Sequence, residues 1–211
     1  MIIVGLTGGV ASGKSLISRV WKEEGAVLID ADRIARQLVR PRSPAWRALV
    51  KAFGKEILRK DGSLHRKRLA TRVFSNPVEK NRLNHILHPR IKKEIDRRIK
   101  RIGRQRAKAI IVIDAALLVE TGYYRMVDKV VVVTSTPKQQ MARLIRRDQI
   151  HQETARGIID SQISNKERIN VADIVIPNDG SIEKTLRRAR TVFEVLRKGA
   201  LSKKDAQAVR R

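Results

Sequence analysis

Cysteine is absent from this chain of 211 residues, which excludes disulfides and thiolate metal sites. Aromatic side chains make up 3% of the total and leave few rings on which single-stranded nucleic-acid bases could stack. No apolar run approaches the ~20 residues that cross a bilayer. The apolar stretch at the start is short and runs into a glycine loop, unlike a signal peptide. Acidic residues are also in short supply: 21 Asp and Glu face 47 Lys and Arg, for a formal net charge of +26. The expectation is a soluble, cytoplasmic protein with no membrane span. Its charge reads either as a solvated basic surface or as a match to polyanionic partners, whether nucleotides, nucleic acid or an anionic surface.

The glycine loop carries the most information. Gly8-Gly9-Val10-Ala11-Ser12-Gly13-Lys14-Ser15 fits the phosphate-loop pattern G-x-x-x-x-G-K-[ST]. Met1 to Thr7 before it reads as a buried strand. Leu16 to Glu24 after it reads as a helix, with Leu16, Ile17 and Val20 at helical spacing. In that context the glycines turn backbone N–H groups around a phosphate, and the helix adds its positive dipole end. Lys14 would reach the β- and γ-phosphates and the Ser15 hydroxyl would hold Mg²⁺. Gly9, Ala11, Ser12, Gly13, Lys14, Ser15 and Leu16 are therefore the candidate ATP contacts.

Four further short runs rich in Val or Ile read as parallel strands: Ala26 to Asp30, Ala109 to Asp114, Lys129 to Thr134 and Asp173 to Pro177. Charged segments with helical periodicity separate them. The expected fold is α/β: a three-layer arrangement, with a five-stranded parallel sheet and helices on both faces. Ligands in such sheets bind at the carboxyl ends of the strands.

One unit over 1–198 is expected, with its core at about 1–32, 107–136 and 173–198. A helical insertion spans about 33–106, broken near Pro41 to Pro44, Lys60-Asp61-Gly62, Asn76-Pro77 and His88-Pro89. A helical lid spans about 137–172. Ser181 to Lys198 closes the unit as a helix with Ser181 as N-cap and Gly199 as its end. A basic, frayed tail follows over 199–211. From Arg33 to Arg106 there are 24 Lys and Arg against 5 Asp and Glu, a local balance of +19.

Three features separate a kinase from other phosphate-loop proteins. Asp30-Ala31-Asp32 ends the second strand, where a carboxylate accepts the proton of an attacking hydroxyl; an aspartate there equally caps the next helix. Arg143 and Arg147 lie i, i+4 on one helix face, with Arg146 and Arg156 nearby. They suit a lid that neutralises charge on ATP, or a solvated face paired to Asp148 or Glu153. Asn178-Asp179-Gly180 follows the last strand, either reading an adenine edge through the Asn178 amide or making a plain turn. Asp114 is a second candidate beside Asp32 for linkage to Mg²⁺, or a cap. His85 and His88 lack a third ligand for zinc.

Taken together these residues resemble the dephospho-coenzyme A kinase family from Ile2 to about Leu196. The resemblance is carried by Leu6-Thr7-Gly8-Gly9, Ile29-Asp30-Ala31-Asp32, Ile34-Ala35-Arg36 and Leu83-Asn84. It continues through Ile86-Leu87-His88-Pro89-Arg90-Ile91, Leu117-Leu118-Val119-Glu120, Gln140, Arg143-Leu144, Arg147-Asp148 and Gln162. It ends on Ala172-Asp173 leading to Asn178 and Gly180. It implies transfer of the ATP γ-phosphate to the ribose 3′-hydroxyl of dephospho-CoA. Asp32 would be the base, Lys14 and Arg143 its catalytic partners, and Arg147 a second lid arginine. Thr7, Asp32, Arg36, His88, Leu117 and Leu118 would contact the acceptor, in or beside the basic insertion.

Four positions depart from the family habit. Ala11 replaces a usual Gly and Leu16 a usual Thr; Ala115-Ala116 stands where a proline is commoner, and Ile158 where Arg is frequent. Two other readings stay open: a related kinase for another nucleoside or small alcohol, and a nucleic-acid-binding protein with a regulatory nucleotide site. Nothing in the sequence selects an oligomeric state.

Overall fold

The structure, a computed structural model, describes residues 1–74 and 76–199. Of the basic tail expected over 199–211, Gly199 alone falls within the described residues. The chain divides into two compact units, one of Met1–Ile29 with Ile102–Arg211 and one of Asp30–Arg101.

The first unit is built on a sheet of five strands: β1 (Ile2–Gly8), β2 (Val27–Asp30), β3 (Ile110–Asp114), β4 (Lys129–Thr134) and β5 (Ile174–Pro177). Their order is β2-β3-β1-β4-β5. β1 runs parallel to both β3 and β4, with Ile2 opposite Ile110 and Val4 opposite Lys129, and β4 runs parallel to β5. Each strand matches a Val/Ile run to within a residue. The runs are apolar throughout because residues on both faces are covered: Val130 to Val133 are all buried.

On one face lie α1 (Lys14–Glu23) and α9 (Ile182–Arg197). Trp21 and Phe193 meet there with ring centroids 6.2 Å apart, and the Trp21 indole N–H donates to the Ala189 carbonyl at 2.8 Å. That bond satisfies a donor which burial would otherwise strand. Ser181 caps α9 as expected, accepting from the Lys184 N–H, and Gly199 follows the helix at φ 72°. Between β4 and β5 come α6 (Pro137–Asp148), α7 (Gln152–Asp160) and α8 (Asn165–Asn170). Capping boxes start α6 at Thr136/Gln139 and α8 at Ser164/Glu167.

The second unit holds α2 (Ala31–Leu38), α3 (Pro44–Phe53), α4 (Arg66–Phe74) and most of α5 (Pro77–Gln105). Leu49, Phe53, Ile57, Leu64, Leu69 and Val73 form its core, with Leu83, Ile86 and Leu87 of α5 packed against it. The turn at Lys60-Asp61-Gly62 is realised: Arg59 N–H donates to the Ser63 carbonyl, and Gly62 supplies φ 77°.

The break expected at His88-Pro89 is not present; α5 continues through Pro89 to Gln105. Proline removes one helical hydrogen bond and crowds the preceding turn. Here the flanking residues offset that loss. Leu83, Ile86 and Leu87 pack on the core, Ile91 and Ile95 are buried, and the Arg90 guanidinium donates to the Ile86 carbonyl at 2.6 Å.

On the same helix Glu94 binds Arg97 at 2.8 Å and Arg98 at 2.8 Å, and Arg98 reaches Gln37 of α2 at 3.1 Å. The Arg97 bond, then the Arg98 bond, pull the Glu94 carboxyl from its ordinary 4.5 to about 2. A depressed folded value means the stabilisation is complete above the unfolded pKa and is lost as pH falls from about 4.5 to about 2. Glu94→Gln is therefore expected to flatten acid unfolding in that window while leaving neutral-pH melts shifted by a constant amount. Parallel acid titrations of the two proteins followed by circular dichroism check it; identical slopes would remove Glu94 from the account.

Candidate active site

The phosphate loop sits where strand β1 hands over to helix α1, at the carboxyl edge of the sheet. Gly13 is the N-cap of α1 at φ 96°, a conformation only glycine adopts without strain, and its side has no room because the Asn178 amide lies against it. Among the described residues no side chain caps α1, so the loop's own N–H groups and the dipole end are presented together. Lys14 Nζ is bound to the Asp114 carboxylate at the end of β3, which holds the ammonium at the loop. Ser15 is exposed at the first turn.

Ala11 has φ 56° in the left-handed region, which explains why glycine is usual there. An L-residue with a Cβ costs roughly 1–2 kcal/mol in that region, partly offset by its stiffer unfolded chain. Ala11→Gly is expected to stabilise the protein by about 0.5–1 kcal/mol, a rise in Tm of roughly 1–4 °C in a thermal melt. A lower Tm would show that the turn is unstrained.

Three expected contacts change character. The Asn178 side chain is 5% exposed and committed inward: its Nδ2 donates to the Ser12 carbonyl at 2.8 Å, and its Oδ1 accepts from Thr185 at 2.9 Å. It braces the loop, so the expectation that its amide reads an adenine edge is withdrawn. Thr7 is fully buried, with its hydroxyl donating to the Ala116 carbonyl at 3.3 Å. Leu118 is also fully buried, its side chain packed against Gly5. Neither is placed for an acceptor. Leu117, by contrast, is 48% exposed. Ser12 is buried, its hydroxyl lying against Gly8 with no hydrogen-bond partner among the described residues.

Arg143 of α6 comes to the loop: Nη2 donates to the Asn178 carbonyl at 3.0 Å, and Nη1 stands 3.5 Å from the Ala11 carbonyl. Arg147 is paired with its neighbour Asp148 at 2.6 Å, which raises the guanidinium pKa and lowers that of the carboxyl. Arg156 pairs loosely with Asp160 at 3.9 Å, both side chains exposed.

In the other unit Asp30 caps α2, accepting from the Arg33 N–H at 2.7 Å. Asp32 and Arg36 are exposed along the same helix. His88 is half-buried, and burial followed by the charge of His85 lowers its pKa below 6.5. At neutral pH it is an uncharged hydrogen-bonding group. Among the described residues no group of three or more His, Cys, Asp or Glu could hold a metal ion.

The structure also shows a polar cluster to which the sequence alone assigned no role. Arg168 of α8 is 1% exposed and donates to the Glu120 carboxylate at 2.9 Å and to the Ile163 carbonyl at 2.6 Å. Gln162 Oε1 accepts the Val10 N–H at 2.8 Å, and Gln140 is buried against Gly9. A buried ion pair seldom adds net stability over apolar packing, yet removing one partner costs about 3–5 kcal/mol. Its value lies in fixing geometry. Glu120, Gln140 and Gln162 stand in the ordered motifs quoted above; Arg168 had no such signal.

The family model described as CoaE, dephospho-CoA kinase, matches residues 2–184. The chain belongs to the dephospho-CoA kinase family. A dephospho-CoA kinase of Moorella thermoacetica is 40% identical, the alignment covering 94% of this chain and 93% of the relative. One of Streptomyces avermitilis is 42% identical over 92% and 93%. Among solved structures, a Thermus thermophilus protein, TT1252, superimposes with a TM-score of 0.80 at 25% identity, covering 92% of this chain and 97% of its own. A dephospho-CoA kinase from Campylobacter jejuni gives 0.70 at 25% identity over 94% and 98%. As a member of the dephospho-CoA kinase family the chain is an ATP-dependent phosphotransferase with a phosphate-loop kinase fold. No helix among the described residues is long and apolar enough to cross a membrane.

Proposed function

We propose that the chain transfers the γ-phosphate of ATP to the ribose 3′-hydroxyl of dephospho-CoA, giving CoA and ADP. The observation that carries this reading is a complete phosphate loop, with Lys14 and Arg143 both held at it, in a chain matched to the family from residue 2 to residue 184. The loop N–H groups and Lys14 bind and orient the β- and γ-phosphates. The acceptor hydroxyl oxygen forms the new bond to Pγ, the bond from Pγ to the β,γ-bridging oxygen breaks, and the hydroxyl proton passes to the Asp32 carboxylate. Arg143, with Arg147 once released from Asp148, balances charge on the transferring group.

Mg²⁺ suits this donor set. Ser15 and an aspartate, Asp114 or Asp32, would be hard oxygen ligands, with phosphates and water filling the remaining positions, the usual pattern for this ion. When bound, it supplies Lewis-acid charge neutralisation at the phosphates. The acceptor is assigned to the helical unit, with Arg36 as a phosphate partner and neutral His88 as a hydrogen-bonding group, and to the exposed Leu117 as an apolar contact. A cytoplasmic location belongs to the same reading.

The test is ADP release from Mg·ATP with and without dephospho-CoA, alongside adenosine as acceptor. ADP formed with dephospho-CoA and not with adenosine supports the reading. Equal rates with and without dephospho-CoA, or a preference for adenosine, overturn it.

A further inference from the structure

We infer that Gln162, seated by Arg168, is a positioning residue that holds the strained Ala11 turn of the phosphate loop and so ties the loop's shape to the helices between β4 and β5. The inference rests on phosphate binding at the loop and names what keeps it in shape.

A non-glycine residue in the left-handed region persists only where its surroundings over-determine it. Ala11, at φ 56°, has a clamp on each side. Upstream, the Val10 N–H donates to Gln162 Oε1 at 2.8 Å. Downstream, Asn178 Nδ2 donates to the Ser12 carbonyl at 2.8 Å. The Ala11 carbonyl itself is approached by Arg143 at 3.5 Å.

The upstream clamp is built deep. A Cβ on Gly9 would come within 2.6 Å of Gln140 Nε2 and 3.6 Å of both Arg168 Nη1 and Gln162 Oε1. Gly9 does not have a positive φ, so it is glycine for close approach and not for backbone freedom. Arg168 fills this space at 1% exposure, with Glu120 and the Ile163 carbonyl as partners, and the second of these fixes the residue next to Gln162. The Val10 N–H is thus spent on a side chain. The N–H groups that cradle phosphate come from the loop beyond it, and Gln162 sets the limb from which they are aimed.

Strain at Ala11 makes the role testable by a double-mutant comparison. Gln162→Leu removes the acceptor at similar bulk, and Gln162 is only half-buried, so the fold should tolerate the change. In the natural background the variant is expected to raise KM for ATP about tenfold, the effect of leaving one part-buried N–H unpaired, with KM for dephospho-CoA little changed. In an Ala11→Gly background, where the turn needs no holding, the same substitution should raise KM for ATP by about threefold or less. The same factor in both backgrounds, or no effect in either, overturns the inference, and so does an equal rise for both substrates. Gln162→Ala read in the same two backgrounds serves if the leucine variant does not fold. Acceptor-dependent ADP release by the unsubstituted protein, measured in parallel, separates failure of this inference from failure of the kinase reading.

Discussion

Asp32→Asn is expected to lower turnover by about 10²–10⁴-fold, the ordinary contribution of a positioned general base, while ATP still binds. The substitution keeps shape and hydrogen-bonding reach and removes the ability to take a proton. The two aspartates of Asp30-Ala31-Asp32 have separate duties in this account. Asp30 is occupied as the α2 cap, accepting from the Arg33 N–H, so Asp30→Ala should cost about 0.5–2 kcal/mol of stability and little chemistry. Measuring ADP release for both variants, with ATP affinity by calorimetry, distinguishes cap from base. Turnover within a few-fold of the natural protein in Asp32→Asn would remove it as the base.

Lys14→Met should cost about 10²–10³-fold in kcat, comparable to losing one aimed donor from a preorganised charge-stabilising site. It also strands the Asp114 carboxylate, whose side chain is 14% exposed and bound to Lys14. A buried acceptor left unpaired costs about 1–3 kcal/mol, so some loss of Tm is expected alongside the loss of rate. The double variant Lys14→Met/Asp114→Asn separates the two effects, because it removes the stranded charge without restoring the ammonium. Tm should recover and turnover should not. A single variant retaining more than a tenth of natural turnover would show that Lys14 is not needed at the phosphates.

The five strands were legible because each is a short Val/Ile-rich run bounded by polar or turn residues, and in β3 and β4 the run is buried almost throughout. The strand–loop–helix context of Gly8 to Ser15 was legible for the same reason. Pro89 was misread because a local rule met a tertiary exception: apolar neighbours on a packed helix, and an arginine reaching the Ile86 carbonyl, outweigh one missing hydrogen bond. Thr7, Leu118 and Asn178 were misassigned for a different reason. Their residue types and their places beside the loop suit ligand contacts, but which way a side chain points is set by packing that the sequence does not display. The Glu120–Arg168–Gln162–Gln140 cluster draws on four separate segments. Three of its members stand in ordered motifs, and nothing in the sequence pointed to Arg168.

The strand order has a consequence for how the chain is made. β1 lies at the centre of the sheet, yet its partners begin at Ile110 and Lys129. At synthesis rates of roughly 5–20 residues per second, the first strand waits on the order of 5–20 s on the ribosome with both edges unpaired. During that interval Asp30–Arg101 emerges and can gather its own core from near neighbours. The first strand to be made is therefore the one that waits longest for its partners, and it is the stretch on which a chaperone would be expected to act.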